Sequence, residues 1–250
     1  TANVVERTSV SDGTATNLLQ QVIEKDNAAP HSSADVAIDY IINKASELSL
    51  GINAWVGKWP ENSNMNTVVS TPGGSVTEQY LQNIAGGNSY LGADINFGYT
   101  RRFKRAGQEI TVQVQNSPSR DLSDYDAVST AASKEMLYRE VNNSKTRNRE
   151  WTFQADYVHP LNAKGTIHLE TGAKVILRNV SNRYDVLTAD SSETGGLVFQ
   201  PDRSDIFKYS QDVLAAYGMF RLNLKRNWFI EAGTRLEATY INGDFTHSET

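Results

Sequence analysis

The sequence contains no cysteine. Disulfide bonds, thiolate metal sites and cysteine nucleophiles are therefore excluded, although this absence says little about the compartment. No stretch approaches the ~20 apolar residues that a membrane-spanning helix requires. The formal net charge is −5 and the basic residues are scattered along the sequence, which argues against a general nucleic-acid-binding protein.

The two ends of the sequence carry no targeting signal. TANVVERTSV at the N-terminus lacks the charged and apolar regions of a signal peptide, and FTHSET at the C-terminus follows closely on a strand-like stretch. We expect either a cytoplasmic protein or an internal piece of a longer chain.

Alternation of apolar and polar residues is the strongest pattern present. Residues 151–178 predict two long strands joined by a turn at residues 160–165. Side chains of a strand point alternately to its two faces, so each strand has one apolar and one polar face. Three similar hairpins are predicted, at residues 36–56, 90–115 and 206–245, with short turns at residues 43–44, 104–107 and 225–227.

Long polar connections separate these hairpins, at residues 58–89, 116–148 and 179–204. Residues 75–78 resemble a capping box, so a short helix and a strand are equal alternatives for residues 76–84. Residues 17–26 are likewise compatible with a helix or a strand.

The resulting order of long strand, short turn, long strand and long loop is typical of outer-membrane barrels. Strands of ordinary globular proteins have only ~5–6 residues. The polar faces carry too many ionisable groups for a dry core. We therefore predict an all-β fold, an antiparallel transmembrane β-barrel segment of long hairpins with short periplasmic turns and long extracellular loops.

Polar side chains of the predicted strands are expected to line an aqueous lumen. The regular spacing of Glu231, Arg235 and Glu237 on one strand favours charge pairing with neighbouring strands over a catalytic cluster. The predicted lumen-lining residues are Asp94, Asn96, Gln154, Asp156, Glu170, Lys174, Glu231, Arg235 and Glu237.

The sequence resembles the β-barrel portion of TonB-dependent outer-membrane receptors, in the style of Bacteroidetes-type outer membrane proteins. The resemblance covers roughly residues 15–245 and is carried by SADVAIDYIINKASELSLGINAW, NREWTFQADYVHPLNAKGTIHLETGAKVILRNVSNRYDV and YSQDVLAAYGMFRLNLKRNWFIEAGTRLEATYINGDF. It implies a bacterial outer-membrane location and TonB-dependent uptake of a large ligand such as a siderophore, glycan or peptide. The expected partners are outer-membrane lipid, the remaining barrel and plug, and an energy-transducing inner-membrane complex.

The resemblance also makes residues 1–250 a partial barrel domain, without plug, signal peptide or C-terminal strand signal. The sequence contains no motif for bond chemistry, and we expect neither enzymatic activity nor a cofactor. Ligand contacts are expected in the long loops, where aromatic side chains either stack on a ligand or pack within the loop. These candidates are Trp59, Tyr80, Tyr125, Tyr138, Tyr184 and Phe199.

No metal site is predicted. The histidines, at positions 31, 159, 168 and 247, lack metal-ligand spacing. Asp121, Asp124 and Asp126 offer carboxylates for calcium, but the segment lacks the glycine and distal glutamate of a calcium loop, which favours a solvated loop.

Two other functions fit the same pattern of strands. One is a soluble, secreted all-β module that binds carbohydrate, in which the apolar faces pack against each other. The other is a passive outer-membrane barrel without active transport.

Overall fold

A computed structural model describes residues 2–11, 14–191, 196–224 and 228–246. Within these residues, no helix has the length and hydropathy needed to span a membrane. Nearly all of them lie in strands, and Pro201–Arg203 form one turn of 3-10 helix. The strands are β1 (Ala2–Ser11), β2 (Thr14–Asn27), β3 (His31–Asn43), β4 (Ser46–Ser70), β5 (Val76–Arg102), β6 (Glu109–Ala131), β7 (Met136–Pro160), β8 (Ile167–Asp190), β9 (Val198–Phe199), β10 (Asp205–Asn223) and β11 (Phe229–Phe245).

All strands belong to one antiparallel sheet with the order β1-β2-β4-β5-β6-β7-β8-β10-β11. Strands β2 and β3 lie end to end along the same edge of β4, β2 beside residues 61–70 and β3 beside residues 46–57. Between them, the carbonyl oxygen of Pro30 accepts a hydrogen bond from Lys58 N at 3.0 Å. The sheet is therefore nine strand positions wide, and it is not closed: β1 and β3 form one edge and β11 forms the other.

The predicted short turns lie at one rim of the sheet. Arg102 pairs with Glu109 across the turn after β5, and Pro160 pairs with His168 across the turn after β7. Gly107 and Gly165 have φ values of 76° and 62°, which only glycine adopts without strain. The turn predicted at residues 225–227 lies outside the described residues.

The structure corrects the expected loop character of the long connections. Strands β4 to β8 run for 23 to 27 residues, and the connections at the second rim shrink to residues 71–75 and 132–135. Residues 76–84 and 17–26, for which a helix was an alternative, are strands. A search for alternating apolar and polar residues does not detect these extensions. The side chains of a strand that meets water on both faces need not alternate in polarity.

The sheet has almost no core of its own. Among the described residues, the buried hydrophobic side chains are Ala127, Val186, Ala189, Val213 and Ala215. The accessible surface is 16688 Å² for a 27.7 kDa chain, whereas a soluble monomer of this mass exposes about 11,000 Å². The apolar side of this single-layered sheet must therefore be covered by another molecule or by a medium other than water.

Candidate functional site: the two faces of the sheet

Strand β7 defines the two faces of the sheet. Trp151, Phe153 and Tyr157 point to one side, which we call the apolar face, and Gln154 and Asp156 point to the other, which we call the polar face. The pairing register is continuous from β4 to β11, so each side chain can be assigned to a face. It shifts by one residue only at the outer end of the β4–β5 pair and of the β6–β7 pair.

All nine predicted lumen-lining residues lie on the polar face. In one row across the sheet, Gln154 lies opposite Lys174, and Glu237 occupies the same row on β11. In the next row Asp156 and Arg235 share a level. They share one face of the sheet, and their contact with an aqueous lumen stays a prediction.

Hydrogen bonds and ion pairs join these side chains across strands. Asp94 accepts a hydrogen bond from Ser117 Oγ at 2.5 Å and another from Gln115 Nε2 at 3.5 Å. Arg178 and Glu150 form an ion pair at 2.6 Å. These contacts link polar side chains of neighbouring strands along the polar face.

A second network occupies the polar face nearer the short turns. Tyr217 donates a hydrogen bond to Asp156, and Gln154 Nε2 donates to Asp156 Oδ2 at 2.8 Å. A Cβ atom on Gly172 would collide with the ring of Tyr217, so glycine provides the space in which this aromatic ring lies flat across the neighbouring strand. Farther along, Arg235 pairs with Glu237 at 2.7 Å.

The apolar face is fully uncovered in the structure. Phe97, Phe153 and Leu214 lie on strands with neighbours on both sides, yet they are 46%, 41% and 45% exposed. Their exposure is therefore not an edge effect. Such a continuous exposed apolar surface indicates contact with another molecule or a membrane.

The apolar residues form an oblique band across this face. It covers residues 48–56 on β4 but residues 167–177 on β8 and 214–222 on β10, and the register places its centre roughly one residue lower with each successive strand. One residue per strand corresponds to a strand tilt of about 35°. The ten steps along β8 then give a height of about 27 Å, close to the ~25 Å apolar band of outer-membrane barrels.

The predicted aromatic ligand contacts lie in strands and not in loops. Five of the six share the polar face above the level of the band, on five adjacent strands, and Phe199 lies in β9 beside Leu187 on the apolar side. The five are Trp59 in β4, Tyr80 in β5, Tyr125 in β6, Tyr138 in β7 and Tyr184 in β8.

Trp59 belongs to a cleft on the polar face, which we call the Trp59 cleft. Its indole stacks on the ring of Tyr90 with centroids 4.6 Å apart and an interplanar angle of 23°. Polar groups complete the lining: Asn88, Asp121, Ser123, Ser144 and Thr146. A flat aromatic platform surrounded by hydroxyl, amide and carboxylate groups is suited to a ligand that combines apolar faces with hydrogen-bonding edges.

Sequence reasoning missed Tyr90 as a site residue. Its alternation with Gly92 and Asp94 in the predicted hairpin was a signal for the polar face, but it was assigned only to a strand. Gly57 gives the second signal, because a Cβ atom there would occupy the position of the Tyr90 ring. Asn182 supports the far side of the cleft by donating to Ser144 Oγ at 3.0 Å and Thr146 Oγ1 at 2.7 Å.

A polar cluster around Glu140 fixes the 3-10 turn to β7. Arg203 donates to both carboxylate oxygens of Glu140 at 2.9 Å, and Tyr138 donates to the same group at 2.8 Å. Burial raises the pKa of Glu140, but hydrogen bonds from Tyr138, Asn142 and Arg203 outweigh it and hold that pKa below the usual value. Burial and the neighbouring carboxylate raise the pKa of Tyr138, so its hydroxyl stays protonated and remains a donor.

The aspartates at positions 121, 124 and 126 do not converge. Asp121 points to the polar face, whereas Asp124 and Asp126 point to the apolar side. Asp126 instead forms a two-pronged pair with Arg139 at 2.9 and 2.6 Å. The calcium alternative therefore fails, because a regular strand places these carboxylates on both sides of the sheet.

The histidines are also dispersed. His31 is exposed, the ring of His159 lies 3.0 Å from the Tyr157 hydroxyl, and His168 Nε2 lies 2.6 Å from the carbonyl oxygen of Gly165. His247 lies outside the described residues. Across the described part of the chain, no group of three or more potential metal ligands converges.

Comparison with known proteins identifies the architecture. The model of an outer membrane protein beta-barrel family matches residues 101–250, which contain β6 to β11. The chain belongs to this outer membrane protein beta-barrel family. Strands β1 to β5 continue the same sheet by unbroken antiparallel pairing. No curated protein matches the chain.

Membership of this family indicates which environment the sheet contacts. The protein is located in the bacterial outer membrane. The oblique apolar band has the height and tilt to meet the hydrocarbon of that membrane. The soluble carbohydrate-binding module is therefore set aside, since its apolar faces would have to pack on each other, and here they are bare.

Proposed function

We propose that this chain is part of an outer-membrane receptor barrel that takes up a large ligand in a TonB-dependent manner. The chain itself carries out no bond chemistry. The polar face lines the route, the Trp59 cleft contacts the ligand near the entrance, and a plug within the same protein moves when an energy-transducing inner-membrane complex engages it.

The observation that best supports a wide lumen is the open sheet. Nine strand positions pair in register without closing. Barrels of about eight strands have interiors just filled by side chains, whereas 16 or more strands leave a channel and 22-stranded transporters hold a plug. An unclosed arc that already contains nine positions favours the wider class.

The polar groups of the Trp59 cleft support ligand contact at this level. The cleft lies beyond the apolar band on the side away from the short turns, where a ligand arriving from outside first meets the barrel. Its aromatic stack and its mixed hydrogen-bonding groups suit a glycan, a siderophore or a peptide.

An uptake assay with the full-length protein tests the proposal. Cells with and without its gene receive fluorescent oligosaccharides, a fluorescent peptide and a ferric siderophore, each too large for porin diffusion. We expect gene-dependent accumulation of one probe that stops when a protonophore collapses the inner-membrane potential. Gene-dependent accumulation that survives the protonophore identifies a passive barrel, and no gene-dependent accumulation of any probe contradicts uptake.

Variants of two tryptophans connect uptake to the cleft. Trp59→Ala removes the platform on the polar face, and Trp151→Ala removes a tryptophan from the apolar face. Because an aromatic contact contributes about 0.5–1.5 kcal/mol, we expect the half-saturating probe concentration to rise up to about tenfold for Trp59→Ala. The Trp151→Ala protein should retain the wild-type value, and an equal change in both variants would refute a role for the cleft.

A further inference from the structure

Six basic side chains lie on the apolar face just beyond the apolar band, on the side of the strand extensions. We call them the basic belt: Lys58, Arg120, Lys145, Arg147, Arg149 and Lys208. They come from β4, β6, β7 and β10, so the sheet register and not the sequence brings them together.

Within the described residues the basic belt has no ion-pair partner, although Asp244 lies opposite Lys208. None of its six side chains forms an ion pair or a hydrogen bond there, whereas Arg178 on the polar face pairs with Glu150. Arg120 lies directly opposite Arg147, and Lys145 lies opposite Arg183. Like charges directly opposite each other destabilise a sheet, so this arrangement calls for an anion.

Two further observations point the same way. The pKa of Lys145 is lowered by repulsion from Arg120 and Arg147, by burial and by Arg183, so positive charge is locally in excess. Acidic groups on the same face are fewer, and Asp185 is already paired with Arg183 at 2.8 Å. On this face of β4 to β11 the others are Asp126, which pairs with Arg139 at 2.6 Å, and Asp124, Asp212 and Asp244, of which Asp244 lies opposite Lys208 without forming an ion pair.

The position of the basic belt matches lipid headgroups. Arg149 lies two residues beyond Trp151, and Lys58 lies two residues beyond Val56, the last apolar residue of the band on β4. At about 3.3 Å per residue and a tilt of about 35°, Lys58 and Arg149 stand about 5 Å above the hydrocarbon. Lys145 and Lys208, six residues beyond Trp151 and Leu214, stand about 16 Å above it. Long basic side chains at this level can lay their apolar stems along the band and keep their charged heads in the polar layer.

One surface depression is lined both by residues of the basic belt and by apolar residues at the edge of the band. It is lined by Arg120, Arg147, Arg149 and Lys208 and, on its apolar side, by Leu91 and Pro118. The lining also contains the carboxylate of Asp244. Four cations beside an apolar floor complement a molecule with a phosphorylated head and hydrocarbon chains.

We propose that the basic belt binds the phosphate groups of phosphorylated lipids in the outer leaflet of the outer membrane. Arginine and lysine side chains contact the phosphate oxygens, and the first carbons of the acyl chains lie along Leu91 and Pro118. This site is on the face opposite to the Trp59 cleft, so it concerns anchoring in the membrane and is independent of ligand uptake.

Lipid binding by the full-length protein in neutral detergent tests the proposal. Native mass spectrometry measures binding of a diphosphorylated lipid A and of the same lipid after enzymatic dephosphorylation, and inorganic phosphate is added as a competitor. The test variant is Arg120→Gln/Arg147→Gln/Arg149→Gln. The control variant, Lys44→Gln/Lys104→Gln/Lys164→Gln, removes the same charge from exposed residues at the short turns.

We expect the phosphorylated lipid to bind more tightly than its dephosphorylated form. Each basic residue near an anionic surface contributes about a fivefold factor in affinity, so the test variant should lose roughly a hundredfold. The control variant should bind as the wild type does, and millimolar inorganic phosphate should not displace the lipid. Equal binding of the two lipids, equal loss in both variants or displacement of the lipid by millimolar inorganic phosphate would each overturn the proposal.

Discussion

Lysine substitutions at two successive residues of β6 separate the two faces of the sheet. Val114 lies on the apolar face opposite Phe97 and Phe153, near the middle of the band. Gln113 lies on the polar face opposite Gln154 and beside Gly98. Val114→Lys and Gln113→Lys therefore introduce the same side chain at the same depth, one residue apart, on opposite sides.

The expected costs differ because the surroundings differ. A lysine facing lipid near the bilayer midplane costs about 2–4 kcal/mol. A lysine at Gln113 stays hydrated, meets no cation directly opposite and should cost less than about 1 kcal/mol. The equilibrium constant for unfolding should thus change at least about 30-fold for Val114→Lys and only a few-fold for Gln113→Lys.

Urea unfolding of the full-length protein in lipid vesicles measures both free energies. The shift between folded and unfolded bands in unheated gel electrophoresis gives the folded fraction at each urea concentration. Equal destabilisation by the two variants, or a larger cost for Gln113→Lys, would refute the assignment of the faces.

Two further variants probe the extended part of the strands. Gly57→Ala forces the Tyr90 ring out of its position, so it should lower the free energy of unfolding by about 1–3 kcal/mol and alter the near-ultraviolet circular dichroism. In the control Gly51→Ala the new Cβ would lie 3.8 Å from its nearest neighbour, and neither quantity should change. The lowered pKa of Glu140 means that its pairing with Arg203 is complete above the ordinary glutamate range near 4.5 and is lost as pH falls through the lowered value. Hydrogen exchange should therefore accelerate around the 3-10 turn in acid, and Glu140→Gln should abolish that pH dependence; acceleration that persists in the variant would exclude Glu140 as its source.

The membrane-level part of the fold was predictable from the sequence. Apolar and polar residues alternate along residues 151–157 and 167–177 because one face of these strands meets lipid and the other meets polar groups. This alternation is visible in the sequence itself. The turn around Gly165 was predictable for a different reason. Glycine readily adopts the positive φ that tight turns require, and Gly165 has a positive φ in the structure.

The strand extensions were not predictable in this way. Both faces of residues 58–70 and 116–131 lie beyond the apolar band, so hydrogen bonding to neighbouring strands holds them extended while their side chains vary freely. The Trp59 cleft and the basic belt depend on register between distant strands, which alternation within one strand does not specify. The contact of the nine polar residues with a lumen remains a prediction.

Site-directed spin labelling along β7 tests the central claim most directly. The chain contributes no cysteine, so single cysteines introduced at successive positions from 151 to 157 in the full-length protein can each carry a nitroxide. In lipid vesicles, labels at positions 151, 153, 155 and 157 should be more accessible to oxygen, and labels at positions 152, 154 and 156 to a water-soluble nickel chelate. The absence of this two-residue alternation, or its reversal, would contradict a sheet with lipid on one face and a wet route on the other.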